Sequence, residues 1–387
     1  MMLTSKNNKK TFTLGILGGG QLAKMIALES YRLGLEVAII ENGAHSPAGD
    51  MTKLEFTEGW HNQINLDEFI KASDIVTLEN EFIEPEILEY ISNFINVFPS
   101  AKTMRFVQDK FNQKTVFFNN NIPVPDFSSV DTIEEASKFG EKFGYPFLIK
   151  TRTLGYDGYG NYTVKNIDDI STAFAKFSSD GKQRKLMAER FVDFKRELAV
   201  MVARSLSGEI AVYPVVETIQ ENHICKVVLA PADITAEQKN IAQEIAVKCV
   251  ESIDGIGIFG VEMFEDSNGE IIVNEIAPRP HNSGHYTIEA CRTSQFENVI
   301  RAITGLPLGS TEMIAPAACM VNLLGERDGS GIPADVSKAL SYGKIKLHLY
   351  NKKSSRKGRK MGHITALGNT TKEAYEIAIL ASQSIVW

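Results

Sequence analysis

Three consecutive glycines, Gly18–Gly20, join a short β-type run to an amphipathic helix, and this junction constrains the fold more than any other feature. The β-type run is Thr11–Leu17, and the helical pattern ends at Gly34, directly before a second apolar run, Leu35–Ile40. A strand, a helix and a strand in this order form a βαβ unit, which requires a parallel sheet covered by helices. We therefore predict a doubly wound α/β, Rossmann-like domain over residues 1–108.

A second architectural unit begins near Ile122–Pro125, where two prolines force an extended backbone. Strands recur beyond it on both sides of a long helical pattern at Ala236–Ser252, which favours an α+β domain over residues 109–312. Short strands, a basic loop and a final helix predict a small C-terminal domain over residues 313–387. A length of 387 residues suits three domains, each with its own core.

The charge balance is acidic, with 41 Lys and Arg against 48 Asp and Glu and a formal net charge of -7. Such a field repels nucleic acid and anionic lipid. No run approaches the ~18 apolar residues of a membrane span, and the polar N-terminus lacks the apolar stretch of a signal peptide. The 4 cysteines lie far apart without a C-x-x-C pair, which is typical of a reducing compartment. We expect a cytoplasmic protein with no nucleic-acid or membrane partner.

Two opposed glutamates give the strongest chemical signal. Asn268-Gly269 is the preferred pair for a two-residue turn between apolar strands, and that turn places Glu262 directly opposite Glu275. Like charges in this arrangement repel each other, so a positive group is expected between them. Mg²⁺ binds carboxylate oxygens of this kind. The alternatives are that the glutamates face solvent, or that one of them pairs with Arg279.

A glycine-rich segment follows the buried strand that ends at Lys150. The segment Thr151–Asn161 contains three glycines whose backbone N–H groups can cradle phosphate oxygens, with the Lys150 ammonium nearby. This predicts a lid over a nucleotide. The pattern is not a Walker P-loop, and the alternative is an ordinary hairpin loop with glycines for turns.

Three weaker signals surround these two. Glu189 and Glu197 flank a strand-to-linker crossing that suits a purine and a ribose hydroxyl, although Glu197 taken alone fits a surface strand better. The polar loop 279–285 suits an anionic substrate, or else caps the following helix. The basic segment 352–360 is typical of a solvated run, with one or two side chains able to reach a phosphate.

Four segments together carry a family resemblance: Leu17–Leu22, Gly155–Asn161, Asn274–His285 and Gly358–His363. With them the chain resembles the 5-(carboxyamino)imidazole ribonucleotide synthetase family of the ATP-grasp superfamily, from about Leu14 to Ile385. The resemblance implies an ATP-grasp fold, preceded by a pre-ATP-grasp domain and followed by a small C-terminal domain.

The activity implied by the resemblance is an ADP-forming carbon–nitrogen ligation in purine biosynthesis. Bicarbonate carboxylates 5-aminoimidazole ribonucleotide at the expense of ATP through carboxyphosphate. The implied cofactors are ATP and Mg²⁺, with Mn²⁺ as a substitute, and the implied partners are these small molecules and a second copy of the chain in a homodimer.

The resemblance also assigns roles to individual residues. Those implied to bind ATP are Lys110, Lys150, Gly155, Tyr156, Asp157, Gly158, Tyr159, Gly160, Asn161, Glu189, Arg190, Phe191, Val192, Glu197, Gln220, Asn274 and Glu275. Those implied to bind the ribonucleotide or bicarbonate are Gln21, Glu81, Tyr156, Arg279, His281, Asn282, Lys352 and Arg359. Asp157, Lys352 and Arg279 are implied to be catalytic, and Glu262 and Glu275 to hold the metal.

The chain departs from the family pattern at several positions. Lys110 replaces a common Arg, Tyr159 replaces a lid Arg, and Gln220 replaces a common His. The basic segment is one residue longer than usual, which leaves the choice between Lys352 and Lys353 open.

Other functions compete with this one. A dinucleotide-dependent oxidoreductase would use Gly18–Ala23 as a G-x-G-x-x-A turn with Glu41 as the ribose ligand, but it leaves the glutamate pair and the lid without a role. Another ATP-grasp carboxylase or ligase, or a formate-using ribonucleotide transformylase, would share ATP and Mg²⁺ and differ in the acceptor. A non-catalytic binding protein on the same scaffold has no need of Glu262, Glu275 and Lys150.

Overall fold

The computed structural model describes residues 11–153, 160–179, 184–221 and 223–387. Its first part is a five-stranded parallel sheet with strand order 3-2-1-4-5, which confirms the predicted doubly wound fold. The elements are β1 (Thr13–Leu17), α1 (Gln21–Arg32), β2 (Glu36–Ile40), β3 (Leu54–Phe56), α2 (Gln63–Ala72), β4 (Ile75–Leu78), α3 (Pro85–Ser92), β5 (Val97–Phe98) and α4 (Ala101–Gln108). The strand order reverses at β1 and β4, so residues that follow these two strands meet in a crevice at their carboxyl ends.

The second part begins with α5 and a four-stranded antiparallel sheet of order β6-β9-β7-β8. The elements are α5 (Lys110–Asn119), β6 (Phe127–Ser129), α6 (Ile133–Phe143), β7 (Phe147–Thr151), β8 (Asn161–Val164), α7 (Asp169–Ser178) and β9 (Leu186–Arg190). Asp109 begins α5 by accepting the N–H groups of Phe111 and Asn112. This cap puts Lys110 and Lys114 one turn apart on the same helix face.

A nine-stranded sheet forms the rest of the molecule. Its elements up to residue 304 are β10 (Phe194–Arg204), β11 (Ile210–Val212), β12 (Val216–Glu221), β13 (Ile224–Ala230), α8 (Ala236–Ser252), β14 (Gly257–Asp266), β15 (Ile271–Ala277), α9 (Thr287–Ala290) and α10 (Gln295–Thr304). Alternate residues of β14 pack into different cores, with Phe259 in the cluster that includes α8 and Ile258 in the cluster that includes α10. Helices therefore cover both faces of the sheet, which explains the apolar strands.

Three strands of the C-terminal residues extend that same sheet, and two short strands, β17 and β19, pair separately. They form β16 (Ala317–Leu324), β17 (Gly329–Ser330), α11 (Ser337–Leu340), β18 (Ile345–Leu349), β19 (Ser354–Ser355), β20 (Lys360–Gly368) and α12 (Thr371–Gln383). β16 pairs with β13, and β20 and β18 follow it at the sheet edge. The sheet thus crosses the predicted limit at residue 312, and the division into three domains stays a prediction.

None of the helices in the described part of the chain is long and apolar enough to cross a membrane.

Candidate active site

The opposed glutamates lie where the sequence places them. Glu262 of β14 and Glu275 of β15 are direct partners in the antiparallel register. Their side chains are 26% and 40% exposed, so both carboxylates are partly accessible although the strands beneath them are buried. The predicted pairing is confirmed.

The turn that suggested this pairing has a different form. The hairpin closes with a three-residue loop, 267–269, in which the Asp266 N–H donates to the Glu270 carbonyl at 3.0 Å. A two-residue turn at Asn268-Gly269 is therefore wrong. A β-bulge at Asn274 takes one residue out of the strand pairing and compensates for the longer loop, so the glutamates remain opposite each other.

The two carboxylates differ in their electrostatic surroundings. Burial, and next the charge of Glu275, raise the pKa of Glu262 to about 8. Burial also opposes ionisation of Glu275, but the ammonium group of Lys110, which contacts its Oε2, outweighs this and lowers the pKa of Glu275. His281 Nε2 lies 3.3 Å from Glu262 Oε1, and burial, with the charge of Arg279, lowers the pKa of His281 to about 3. A positive group is thus present at one of the two glutamates, as Lys110 beside Glu275.

A divalent cation fits this pair. Two carboxylates from adjacent strands offer hard oxygen ligands on an accessible face, and Glu262 is poorly compensated in the protein alone. Asn274 donates its Nδ2 to Glu262 Oε2 at 3.5 Å, so its amide oxygen is directed away from that carboxylate. Neither glutamate pairs with Arg279 in the described residues, where the partner of Arg279 is Glu81.

A second charge cluster surrounds Glu189. Its side chain is 2% exposed and contacts Lys150 through Oε1, while Oε2 lies 2.8 Å from Lys114 Nζ. Burial alone would raise the pKa of Glu189, but the two ammonium groups lower it to about 2. The carboxylate of Glu189 is therefore committed to lysines, and only its backbone is available to a purine. Lys114 was not predicted, although its position four residues after Lys110 on a helix could have indicated it.

The base of the predicted lid is well held. Arg152 forms a two-pronged ion pair with Asp109, with Nε 3.0 Å and Nη2 2.6 Å from Oδ2. The Thr151 N–H donates to the Gly160 carbonyl at 2.8 Å, and Asn161 pairs with Lys150 across β7 and β8. The remaining predicted lid residues lie outside the described part of the chain: Gly155, Tyr156, Asp157, Gly158 and Tyr159.

The residues predicted for the purine and ribose lie on β9, β10 and β12 and in the link between β9 and β10. Gln220 Nε2 donates to Glu197 Oε2 at 3.1 Å, and burial raises the pKa of Glu197. Val192 is buried, Phe191 is exposed, and the Arg190 side chain is 50% exposed. Glu197 is therefore not a free surface residue, and Arg190 points toward solvent.

The polar loop after β15 links two parts of the molecule. Arg279 Nη2 lies 2.9 Å from Glu81 Oε2, which follows β4 in the crevice of the parallel sheet. Asn282 is buried and donates its Nδ2 to Asn322 Oδ1 at 3.0 Å. Asn322 was not predicted, because a polar residue within an apolar strand gives no sign of its partner.

A cavity of about 450 Å³ lies at the start of α1. Its lining includes Gln21, Lys352, Lys353 and Arg359, which brings the basic segment to the N-terminal crevice. Burial, and next the charge of Arg359, lower the pKa of Lys352 to about 8, whereas exposed Lys353 donates to the Ala44 carbonyl at 3.1 Å. Of the two lysines, Lys352 is the more enclosed.

Carboxylates occupy the N–H groups of the glycine turn. Gly19 donates its N–H to Glu41 at 2.9 Å, and Glu79 accepts backbone N–H groups of Gly20 and Ala23. A pyrophosphate at this helix terminus would have to displace both, so the turn is not arranged for a dinucleotide. An anion in the cavity would instead meet the side chains of the basic segment.

The ion cluster at Glu189 predicts a measurable effect on stability. Replacing Glu189 by Gln should lower the free energy of unfolding by about 3–5 kcal/mol near pH 7, because two buried lysines lose their counter-charge. Since the pKa of Glu189 is lowered to about 2, its contribution is present above the unfolded value of ~4.3 and is lost as pH falls toward 2. Urea unfolding near pH 7 and near pH 3.5 should show the difference from wild type shrinking in acid. The exposed Glu270→Gln change is the control, and equal stability at neutral pH would contradict the assignment.

Domain families match three parts of the chain. The ribonucleotide synthetase preATP-grasp domain matches residues 11–108, and the ATP-grasp domain matches residues 115–296. The phosphoribosylaminoimidazole carboxylase C-terminal domain matches residues 318–377. The first match covers the parallel sheet, and the second covers the four-stranded sheet and the first strands of the nine-stranded sheet. The third covers the C-terminal strands.

Relatives and solved structures agree with these matches. The phosphoribosylaminoimidazole carboxylase of Schizosaccharomyces pombe is 42% identical over 367 residues, covering 93% of this chain and 66% of that protein. The chain thus spans about two thirds of that carboxylase. The crystal structure of N5-carboxyaminoimidazole synthase from Aspergillus clavatus in complex with ADP and 5-aminoimidazole ribonucleotide is 36% identical with a TM-score of 0.86, covering 96% of this chain and 99% of that one.

A second crystal structure, of N5-carboxyaminoimidazole ribonucleotide synthetase from Thermotoga maritima, is 42% identical with a TM-score of 0.86 and covers 97% of this chain. The match also covers 99% of the Thermotoga chain. This agreement over almost the whole of both chains shows that the protein belongs to the N5-carboxyaminoimidazole ribonucleotide synthetase family of ATP-grasp proteins.

Proposed function

We propose that this chain carboxylates 5-aminoimidazole ribonucleotide with bicarbonate and ATP, giving N5-carboxyaminoimidazole ribonucleotide, ADP and phosphate in purine biosynthesis. The observation that carries this proposal is that β15 and the loop after it connect the carboxylate pair with the crevice of the parallel sheet. β15 bears Glu275 of the paired carboxylates, and the loop that follows it bears Arg279, which reaches the crevice of the parallel sheet through Glu81. The Aspergillus structure, with ADP and 5-aminoimidazole ribonucleotide bound, supports the same pair of ligands.

Lysines supply the cationic side of the nucleotide site. Phosphoryl transfer to bicarbonate requires positioning and neutralisation of charge on the phosphate oxygens, with no nucleophile from the protein. Lys110 of α5 contacts Glu275 and Lys150 of β7 contacts Glu189, and these two lysines are the side chains that would meet those oxygens. Lys110 contacts Glu275 in the protein alone, so we propose that it transfers from the carboxylate to a phosphate when ATP binds.

Glu262 and Glu275 would hold Mg²⁺, or Mn²⁺ in its place. When bound, the cation supplies a Lewis acid that neutralises the ATP phosphates. His281, whose lowered pKa keeps its ring neutral, contacts Glu262 and fixes the orientation of that carboxylate.

The ribonucleotide phosphate would occupy the cavity at the start of α1. Lys352 and Arg359 offer charge-assisted hydrogen bonds there, and Gln21 offers an amide. The pKa of Lys352, about 8, leaves it largely protonated at neutral pH. We propose Lys352 rather than Lys353 as the acting lysine, and on the family resemblance we propose Arg279 and Asp157 as further catalytic residues and Asn282 as a substrate ligand.

An ADP-release assay tests the proposed reaction. With Mg·ATP and bicarbonate, ADP formation should rise at least about tenfold when 5-aminoimidazole ribonucleotide is added, because the acceptor completes the site and traps the activated carboxyl group. Labelled bicarbonate should enter the ribonucleotide product. Stimulation by biotin, or by formate with another ribonucleotide, would favour a different ATP-grasp ligase. Fluorescence transfer from bound NADH, without ATP turnover, would favour the oxidoreductase.

Several finer properties belong to the same proposal. We propose a cytoplasmic homodimer that takes bicarbonate as its co-substrate and binds neither nucleic acid nor membrane. The acidic net charge of -7 and the family resemblance support these statements.

A further inference from the structure

Lys114 is a buried lysine that bridges the four-stranded sheet and the nine-stranded sheet. Its side chain is 3% exposed, and its Nζ lies 2.8 Å from Glu189 Oε2. The same ammonium donates to the Asn274 carbonyl at 2.9 Å. Glu189 belongs to β9 of the four-stranded sheet, and Asn274 belongs to β15 of the nine-stranded sheet. One side chain from α5 therefore contacts a strand of each sheet and connects the two sheets.

The Asn274 end of this bridge lies at the metal pair. The β-bulge leaves Asn274 without a partner in the β14–β15 register, immediately before Glu275. A partly buried carbonyl next to a bulge is stabilised by a donor, and Lys114 provides a charged one. The bulge is what aligns Glu275 with Glu262, so Lys114 stabilises the backbone on which the alignment depends.

The Glu189 end of the bridge lies at the phosphate lysine. Glu189 alone would form a neutral pair with Lys150, and Lys114 turns that pair into a group with one surplus positive charge. Glu189 shared between two ammonium groups also fixes Lys150 at the end of β7. Lys114 itself is too enclosed to reach a nucleotide, so it acts through Lys150 and through the bulge.

We propose that Lys114 is a positioning residue for phosphoryl transfer, which aligns the metal-binding glutamates and the phosphate lysine from one buried point. This inference rests on the proposed function for the identity of the substrate. The contacts of Lys114 and Glu189 support the positioning role itself. It assigns no contact between Lys114 and ATP.

The test compares Lys114→Met with Lys114→Arg. In the Met variant the buried Glu189 carboxylate still has Lys150 as its counter-charge. The variant should therefore fold with a normal circular dichroism spectrum. We expect kcat for ADP formation to fall about 10- to 100-fold, as for loss of a residue that orients a metal ligand, while KM for the ribonucleotide stays unchanged. The half-maximal Mg²⁺ concentration should rise at least about threefold in the same variant. Lys114→Arg should recover most of both losses, since it keeps the charge and the donors.

A charge-matched double variant separates positioning from simple charge. Lys114→Met with Glu189→Gln leaves Lys150 as the single net positive charge, as in the wild-type cluster. We expect this double variant to bind a fluorescent ATP analogue with Mg²⁺ within about threefold of wild type, while kcat stays low because the bulge still lacks its donor. Wild-type kcat in either Met variant, or an equal rise of KM for both substrates, would overturn the proposal. Nucleotide-analogue binding does not depend on the acceptor, so a wrong acceptor would leave this readout intact.

Discussion

The Glu275→Gln variant should lose ATP turnover roughly 100- to 1,000-fold while keeping its fold. The change replaces one of two opposed carboxylate ligands by an amide, which weakens cation binding where charge develops on the phosphate oxygens. It also removes the repulsion that Glu275 exerts on Glu262. Initial rates of ADP formation over a range of Mg²⁺ concentrations measure the loss, and thermal unfolding should show a midpoint close to that of wild type.

The control for this variant is Glu270→Gln, on the loop side of the same hairpin. Glu270 is exposed and its backbone, not its side chain, closes the loop. It should behave as wild type in both measurements. Undiminished Mg²⁺-dependent turnover by Glu275→Gln would disprove the metal role of the pair.

The Lys150→Met variant should lose turnover about 100-fold or more and bind ATP more weakly. Lys150 ends β7 at the base of the predicted lid and is the lysine that would contact the phosphates. Its removal leaves Glu189 paired with Lys114, so the buried carboxylate stays compensated and the protein should fold. Initial rates against ATP concentration would show a lower kcat and a higher KM for ATP.

Lys165→Met is a suitable comparison, because Lys165 follows the neighbouring strand β8 and is exposed. Its kinetic constants should match those of wild type. If Lys150→Met kept normal kcat and KM, the phosphate contact would have to be assigned to Lys110 alone.

Local patterns in the sequence were sufficient for the elements and for the chemistry of single strands. The turn expected at Asn268-Gly269 predicted Glu262 opposite Glu275, and the structure has this pairing although the turn itself differs. The doubly wound fold of the first part also followed from the glycine turn and the apolar runs. The loop length of the hairpin did not follow, because a bulge several residues away compensates for it.

Partners across the molecule could not be obtained in the same way. Lys114 is one of many lysines in the sequence, and its burial depends on Glu189 and Asn274, which lie 75 and 160 positions further along the chain. Lys110 likewise was expected at a phosphate, and its pairing with Glu275 in the protein alone needs the fold of both segments. Long-range pairing of charges leaves no periodic pattern in a single sequence.

The strand that joins the C-terminal segment to the large sheet limits how the chain can be divided. β13 donates and accepts hydrogen bonds along β16, from Val227 with Val321 to Ala230 with Ala318. A fragment that stops before β16 would leave β13 as a bare edge, open to pairing with other chains. A shortened chain made for crystallisation or for exchanging domains therefore needs to keep these last strands, even where a domain-family match ends before them.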